Sequence, residues 1–230
     1  MIYYTGDIHG NPKRVLTYID YMDVRKKDTI VILGDAGLNY LGNDSGDRFP
    51  KQMLNRAGIE ILCIHGNHEM RPGSLPYYHT KEWHGGRVYV EDEFPNLLFA
   101  IDGDIYDLDG KKAIVLGGAY SVDKYYRLQQ GARWFQDEQP SEAIKEYAQQ
   151  QLERHGWKMD VVLSHTCPTK YIPHEAFLPG IDQAYVDRST EDWLDGIEDR
   201  LDYGYWLCGH WHIDKRIDNF YFLMRSFKTL

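Results

Sequence analysis

Three patterns in this chain predict an α/β fold. Five short runs of β-type residues each end in a tight cluster of Asp, Asn or His, and binding groups in open α/β sheets gather at the carboxyl ends of strands. The first part of the chain alternates strand and helix signals as β-α-β-α-β, the mark of a parallel sheet with crossover helices. The middle then changes to short strands, two of them joined by Asp109-Gly110, a hairpin signal between alternating runs.

Ile2–Thr5 reads as the first strand. Asn11-Pro12 starts a helix, because Asn can cap and Pro suits the first helical position. Val15, Leu16, Ile19 and Met22 form its apolar stripe, so the helix runs to about Met22. Thr29–Leu33 is the second strand, followed by a loop rich in Gly, Asn and Asp over Gly34–Gly46. A second helix covers about Arg48–Ala57, and Gly58 ends it. Glu60–Ile64 is the third strand. Arg87–Val90, Leu97–Ala100, Asp104–Leu108 and Lys112–Leu116 read as an antiparallel sheet or a return across a second sheet. Ser141–His155 and Ser189–Arg200 read as helices, the latter opened by Ser189 and Asp192 at the spacing of a capping box. Val161–Leu163 and Tyr205–Cys208 are further β runs, and Lys215–Met224 forms a hairpin around Asp218-Asn219. No linker divides residues 1–230, so one domain is expected, with rim or cap excursions at 121–140 and 168–188.

Composition narrows the class. Hydrophobic residues make up 43% and aromatic residues 14%, which excludes a disordered chain. No apolar run approaches the length of a membrane span. With the first strand signal beginning at Ile2, no signal peptide is expected. Three Cys without paired spacing point to a reducing compartment, so a cytoplasmic location is expected. Cys63 and Cys208 lie inside strands and read as buried thiols; Cys167 reads as a packed loop residue. The formal net charge of −9 and the lack of a long Lys/Arg run disfavour nucleic acid as a general partner. Carboxylates that hold divalent cations would account for part of that acidity.

The five clusters are Gly6-Asp7-Ile8-His9-Gly10, Gly34-Asp35-Ala36-Gly37, Gly66-Asn67-His68-Glu69, Ser164-His165-Thr166 and Gly209-His210-Trp211-His212. Two divalent ions a few ångströms apart can hold a phosphate, activate a water and stabilise the leaving oxygen. Such a pair needs a carboxylate between the ions and mixed O and N ligands around them. Asp7 and His9, two apart on one loop, can meet one ion, and Asp35 suits the bridging role. Asn67 offers an amide oxygen. His165, His210 and His212 complete the set, with His210 and His212 able to face different ions. The absence of Cys disfavours a closed structural zinc site, and the ligand mix suits two ions of Mn, Fe or Zn, with Mg as a further candidate. His65 reads as a satisfied structural residue and Glu69 as a support for its own loop.

These blocks, in this order from Asp7 to His212, resemble the calcineurin-like metallophosphoesterase superfamily. The resemblance implies a four-layer α/β/β/α sandwich with a dimetal site at strand C-terminal ends. It implies that one ion takes Asp7, His9, Asp35 and His212, and the other takes Asp35, Asn67, His165 and His210. It also implies a hydroxide between the ions as nucleophile, with His68 contacting the phosphate or protonating the leaving group. Gly6–Gly10 and Gly66–Glu69 are spelled as in the protein Ser/Thr phosphatase branch. That branch continues its second block with Asp-Arg-Gly, whereas Asp35 is followed by Ala36-Gly37-Leu38-Asn39. The sequence Trp83-His84-Gly85-Gly86 is similar to a later block of the same branch, but it follows no strand signal and comes soon after Glu69, so the ligand is assigned to His165.

Substrate contacts are expected from Arg71, close after the His68 block, where a guanidinium could fork onto phosphate. Lys124, Arg127 and Arg133, interleaved with Tyr125, Tyr126 and Trp134, form a second basic stretch that could grip phosphate and base. The expected activity is metal-dependent hydrolysis of a phosphomonoester, on a phosphorylated small molecule or a phosphoprotein. A phosphodiesterase or nuclease on the same centre is the alternative, and a non-catalytic scaffold of the same fold is a third reading.

Overall fold

A computed structural model describes residues 1–42 and 45–230. In chain order its elements are β1 (Ile2–Thr5), α1 (Lys13–Met22), β2 (Thr29–Ile32), α2 (Ser45–Arg56), β3 (Glu60–Cys63), β4 (His79–Trp83), β5 (Gly86–Val90), β6 (Leu97–Ala100), β7 (Ile105–Leu108), β8 (Lys111–Leu116), α3 (Lys124–Gln129), α4 (Glu142–Arg154), β9 (Lys158–Ser164), α5 (Ser189–Glu198), β10 (Asp202–Cys208), β11 (Lys215–Ile217), β12 (Phe220–Phe222) and β13 (Phe227–Lys228). The expected loop over Gly34–Gly46 includes Asn43 and Asp44, which lie outside the described residues; α2 already begins at Ser45.

Strand periodicity builds the layers. Ile30 and Ile32 of β2 pack with Val15, Ile19 and Leu54 of α1 and α2, while Val31 between them faces the other way, into a core with Val115, Val161 and Leu163. A third core joins Ile114, Val162 and Trp206 to Leu152 of α4 and Leu194 of α5. Three apolar layers thus separate helices, sheet, sheet and helices, which is the α/β/β/α sandwich. Strands buried on both faces read as continuous apolar runs, as TIVI of β2 does.

The sheets are ordered β13-β1-β2-β3-β6-β5-β4 and β11-β12-β10-β9-β8-β7. Strands β1, β2, β3 and β6 run parallel, as do β12, β10, β9 and β8. Antiparallel strands occupy the edges. Of the two arrangements expected for the middle strands, a sheet of their own does not form, while the return into a second sheet does in part: β5 and β6 extend the first sheet, and β7 and β8 extend the second. Local periodicity does not distinguish these outcomes, because both sheets offer an open edge to an alternating run. Strand β4 has no apolar alternation, since four of its five residues are exposed or half-buried. His84 therefore does follow a strand, but in the turn of the β4–β5 hairpin, where its Nδ1 lies 2.9 Å from the Asp107 carbonyl oxygen. Helix α3 buries no residue and has no apolar stripe to read.

The helix starts also differ in detail. Pro12 occupies the cap position of α1, and Asn11 Oδ1 accepts the Lys13 N–H at 3.1 Å. No capping box forms at α5. Asp187 Oδ1 takes the Ser189 N–H at 2.9 Å, and the Ser189 hydroxyl is drawn away to Gln139 at 3.1 Å. Ser141 caps α4 through the Ile144 N–H. Among the described residues no helix is long and apolar enough to cross a membrane, and Cys63, Cys167 and Cys208 are free and buried.

One buried ion pair locks the loop after β2. Lys51 of α2, 1% exposed, donates to Asn39 Oδ1 at 2.9 Å and to Glu91 at the end of β5. Removing one partner of a buried pair leaves the other charge uncompensated. Lys51→Met should therefore cost about 3–5 kcal/mol of stability in chemical denaturation, and Lys51→Met with Glu91→Leu should recover much of that loss.

Candidate metal centre

The loops after β1, β2 and β3 in one sheet and after β9 and β10 in the other meet at one end of the sandwich. Backbone bonds hold them in register. The Ile8 and His9 N–H groups both donate to the Asp35 carbonyl, at 3.1 and 2.9 Å, and the Gly209 N–H donates to the His165 carbonyl at 2.9 Å. Arg14 of α1 donates to the carbonyls of Gly6 and Asp7 at 2.9 and 3.0 Å, pinning the first loop. Glu69 is buried and accepts the N–H groups of Ala36, Gly37 and Gly66 at 3.2–3.3 Å, joining the second and third loops. Burial, with Asp35 nearby, pushes the Glu69 carboxyl up to about 8.

The chain is strained where these side chains converge. His9, Asp35, His210 and His212 all have positive φ, at 46°, 46°, 63° and 53°. Such backbone is costly for non-glycine residues and persists where surrounding structure over-determines it. Two glycines allow the close approach: a Cβ at Gly34, itself at φ +92°, would collide with the His165 imidazole, and one at Gly209 would collide with Asp7 Oδ1.

All seven side chains singled out as ligands come together. Asp7 Oδ2 lies 3.3 Å from His212 Nε2 and 3.8 Å from His9 Nε2, and the two Nε2 atoms are 3.0 Å apart. Asp35 turns Oδ2 toward His9 Nδ1 at 3.8 Å and Oδ1 toward His165 Nε2 at 3.7 Å. Asn67 Oδ1 lies 2.9 Å from His165 Nε2 and 3.0 Å from His210 Nδ1. Asp7, His9 and His212 form one compact donor group; Asp7, Asp35 and His165 form another. Asp7 is common to both, while Asp35 faces a histidine on either side.

This donor set fits divalent cations. His165 Nδ1 sits 2.8 Å from the Leu33 carbonyl oxygen, which places the ring proton on Nδ1 and leaves a lone pair on Nε2. That lone pair faces Asn67 Oδ1, whose amide nitrogen is turned to Ser121 Oγ at 2.9 Å. Asp7 Oδ2 is buried without a hydrogen-bond partner. Acceptors pointed at acceptors in a buried site are stabilised by positive charge between them.

The electrostatics agree. Burial alone would raise Asp7, but the His212 imidazole 3.3 Å away, the neighbouring His165 and His9 and the His210 N–H on Oδ1 together hold its carboxyl well below the ordinary range. Burial, reinforced by His165, keeps His210 neutral. The close Asp7 carboxylate raises His212. His65, expected to be a satisfied structural residue, is buried with neither ring nitrogen bonded; burial and Arg71 hold it neutral, which lessens the cost.

A cleft of about 280 Å³ opens above Asp35, Asn67 and His210. His68 lines it, with its own N–H on Asp35 Oδ1 at 2.8 Å and its Nε2 at 3.2 Å from Asn67 Nδ2 and 3.3 Å from Arg127 Nη2. Burial, aided by Arg127, lowers the His68 pKa. The other basic side chains stand elsewhere. Arg71 is bound to Asp102 at 2.5 Å and to the Asp137 carbonyl at 2.9 Å. Lys124 lies over the Trp134 ring at 4.0 Å, and Arg133 is exposed outside the cleft lining. Segment 168–188 supplies an apolar wall that includes Ile172, Phe177, Ile181 and Val186.

Sequence reasoning missed Arg14, Asp123 and Glu191. The i,i+4 spacing of Asp123 and Arg127, bonded at 2.7 Å, was a readable signal, while the others depend on tertiary neighbours. A comparison with curated proteins finds no match. A family model described as calcineurin-like phosphoesterase matches residues 1–214, a span that holds all five convergent loops. The chain belongs to the calcineurin-like phosphoesterase family, whose chemistry is metal-dependent hydrolysis of phosphoesters.

Proposed function

We propose that the protein is a phosphatase that cleaves a phosphomonoester of a small molecule. The observation that carries this reading is the pairing of His68 with Arg127, 3.3 Å apart, on the wall of the cleft that also exposes Asp35, Asn67 and His210. One group can supply a proton and the other can hold an anion. A cleft of about 280 Å³ suits a small ligand, for such sites typically span about 300–1,000 Å³. A phosphoprotein side chain is the less favoured substrate.

Asp7, His9, Asp35, Asn67, His165, His210 and His212 would hold two divalent ions, with Mn, Fe or Zn suited to this ligand mix. Ions so held supply Lewis-acid activation of water and neutralise phosphate charge. Arg127, steadied by Asp123, turns from His68 to the phosphate oxygens when the ester enters. His68 Nε2, freed of Arg127, takes up a proton from solvent and gives it to the leaving oxygen as the P–O bond breaks. The alcohol departs protonated, and water provides the oxygen that replaces it on phosphorus. A diester reading is favoured by one feature: Tyr125 and Tyr126, beside Arg127, are 69% and 66% exposed and could stack on a second substituent.

His68→Asn should lower kcat on an aryl phosphate with Mn²⁺ by about 10²–10⁴-fold; full activity in that variant would remove His68 from the reaction. Arg127→Ala should raise KM about tenfold or more, and Lys at that position should restore little, because the forked guanidinium geometry is lost. Chelation should abolish turnover and lower the Tm, and Mn²⁺ should restore both. A rate on bis-aryl phosphate above that on mono-aryl phosphate would replace the phosphatase reading with the diester one.

A further inference from the structure

The two ends of an asparagine amide are nearly alike in size and opposite in hydrogen-bonding character, so the partners of Asn67 decide whether Oδ1 or Nδ2 faces the cations. Toward the centre the bias runs the wrong way. The His165 Nε2 lone pair stands 2.9 Å from Asn67 Oδ1, and until a cation lies between them a rotated amide relieves that contact by offering an N–H. The hold must come from the other side of the side chain. There Asn67 Nδ2 donates to Ser121 Oγ at 2.9 Å. Its other neighbour, His68 Nε2 at 3.2 Å, is contested by Arg127 at 3.3 Å.

Ser121 is buried and closes the loop Gly117–Ser121 after β8. The Gly118 N–H ties that loop to the His65 carbonyl at 2.8 Å, and the Ala119 N–H ties it to the Glu138 carbonyl at 3.2 Å. A Cβ at Gly118, at φ +91°, would collide with the same Glu138 oxygen. The Ser121 N–H donates to Glu138 Oε1 at 3.2 Å. A hydroxyl alone could serve either end of the amide, because it both donates and accepts. Glu138 removes that freedom. It is buried, and its Oε2 has no partner of its own. Burial raises its carboxyl, and the adjoining Ser121 side chain works against the rise. A hydroxyl proton drawn to this carboxylate leaves Oγ only lone pairs for Asn67. We propose that Ser121 is a positioning residue for the metal centre: committed by Glu138 to accept, it holds the Asn67 amide with Oδ1 toward the cations. This rests on the proposed ligand role of Asn67, which a separate variant tests.

The test is calorimetric titration of the metal-free full chain with Mn²⁺, which needs no turnover. Asn67→Ala should weaken one of the two ions and spare the other. Ser121→Ala should weaken that same ion about 10–100-fold, and should lower the Tm of the Mn²⁺-loaded chain more than that of the metal-free chain. Glu138→Gln, which offers the hydroxyl a donor in place of an acceptor, should weaken the same ion about threefold or more. The double variant should bind no more weakly than Ser121→Ala alone, because Glu138 acts through the hydroxyl. Undiminished affinity in Ser121→Ala, an equal loss at both ions, or an equal fall in Tm with and without Mn²⁺ would overturn the proposal and leave Ser121 a packing residue. Should Ser121→Ala not fold, an unchanged isotherm in Glu138→Gln overturns it instead. Additive losses in the double variant would overturn the role given to Glu138. No loss in Asn67→Ala would overturn the ligand assignment and the proposal together, whereas an inert aryl phosphate assay would count against the phosphatase reading and leave these titrations standing.

Discussion

Two carboxylates, Asp7 and Asp35, are each 1% exposed at the ends of neighbouring parallel strands, and positive charge between the surrounding acceptors is what makes that burial tolerable. An ionised carboxylate taken out of water is expensive unless paired. Here the nearest partners are imidazoles, and several of them also turn lone pairs inward. The rest of the centre serves this concentration of acceptors. Arg14 and Glu69 fix the loops, the His210 and His68 N–H groups fix individual carboxylate oxygens, and four strained ligand residues keep the side chains from relaxing apart.

The sandwich makes such a site affordable. Each sheet is buried on both faces, so its strand ends can be placed rigidly and the polar loops can be confined to one edge. The two sheets contribute different halves of the donor set. Asp7, His9, Asp35 and Asn67 come from the first sheet, while His165, His210 and His212 come from the second. The closeness of Asn67 Oδ1 to His165 Nε2, at 2.9 Å, is a contact across that boundary. It depends on the apolar core between the sheets, which includes Leu33, Leu62, Leu163 and Leu207, being packed to fixed spacing.

The cleft above the centre is assembled from the least regular parts of the chain. Residues 121–140 contribute one short helix, α3, and residues 168–188 contribute three single turns of 3-10 helix. These parts bring Arg127 to His68 and set an apolar wall opposite. Arg71 and Arg127 illustrate the limit of reading charge along a chain. Both lie near the site in sequence or pattern, yet Arg71 is neutralised by Asp102 while Arg127 reaches the cleft. The i,i+4 partner Asp123 is a local mark of Arg127, but the fate of Arg71 is set by Asp102, on a turn between the two sheets.

The sequence by itself determined the α/β class, the first three strands and their crossover helices, and the seven donor side chains that converge. These are legible because strand burial writes a continuous apolar run, helix packing writes a 3.6-residue stripe, and each donor cluster directly follows its strand. Tertiary structure alone decided how the middle strands divide between two sheets, that polar β4 pairs as an edge strand, and that Asp187 rather than Ser189 and Asp192 organises the start of α5. It also decided which arginine faces the cleft and that Glu191 is left with an unpaired oxygen there. Those outcomes depend on sheet edges, competing hydrogen-bond partners and burial by distant segments, and none of these leaves a periodic trace in the local sequence.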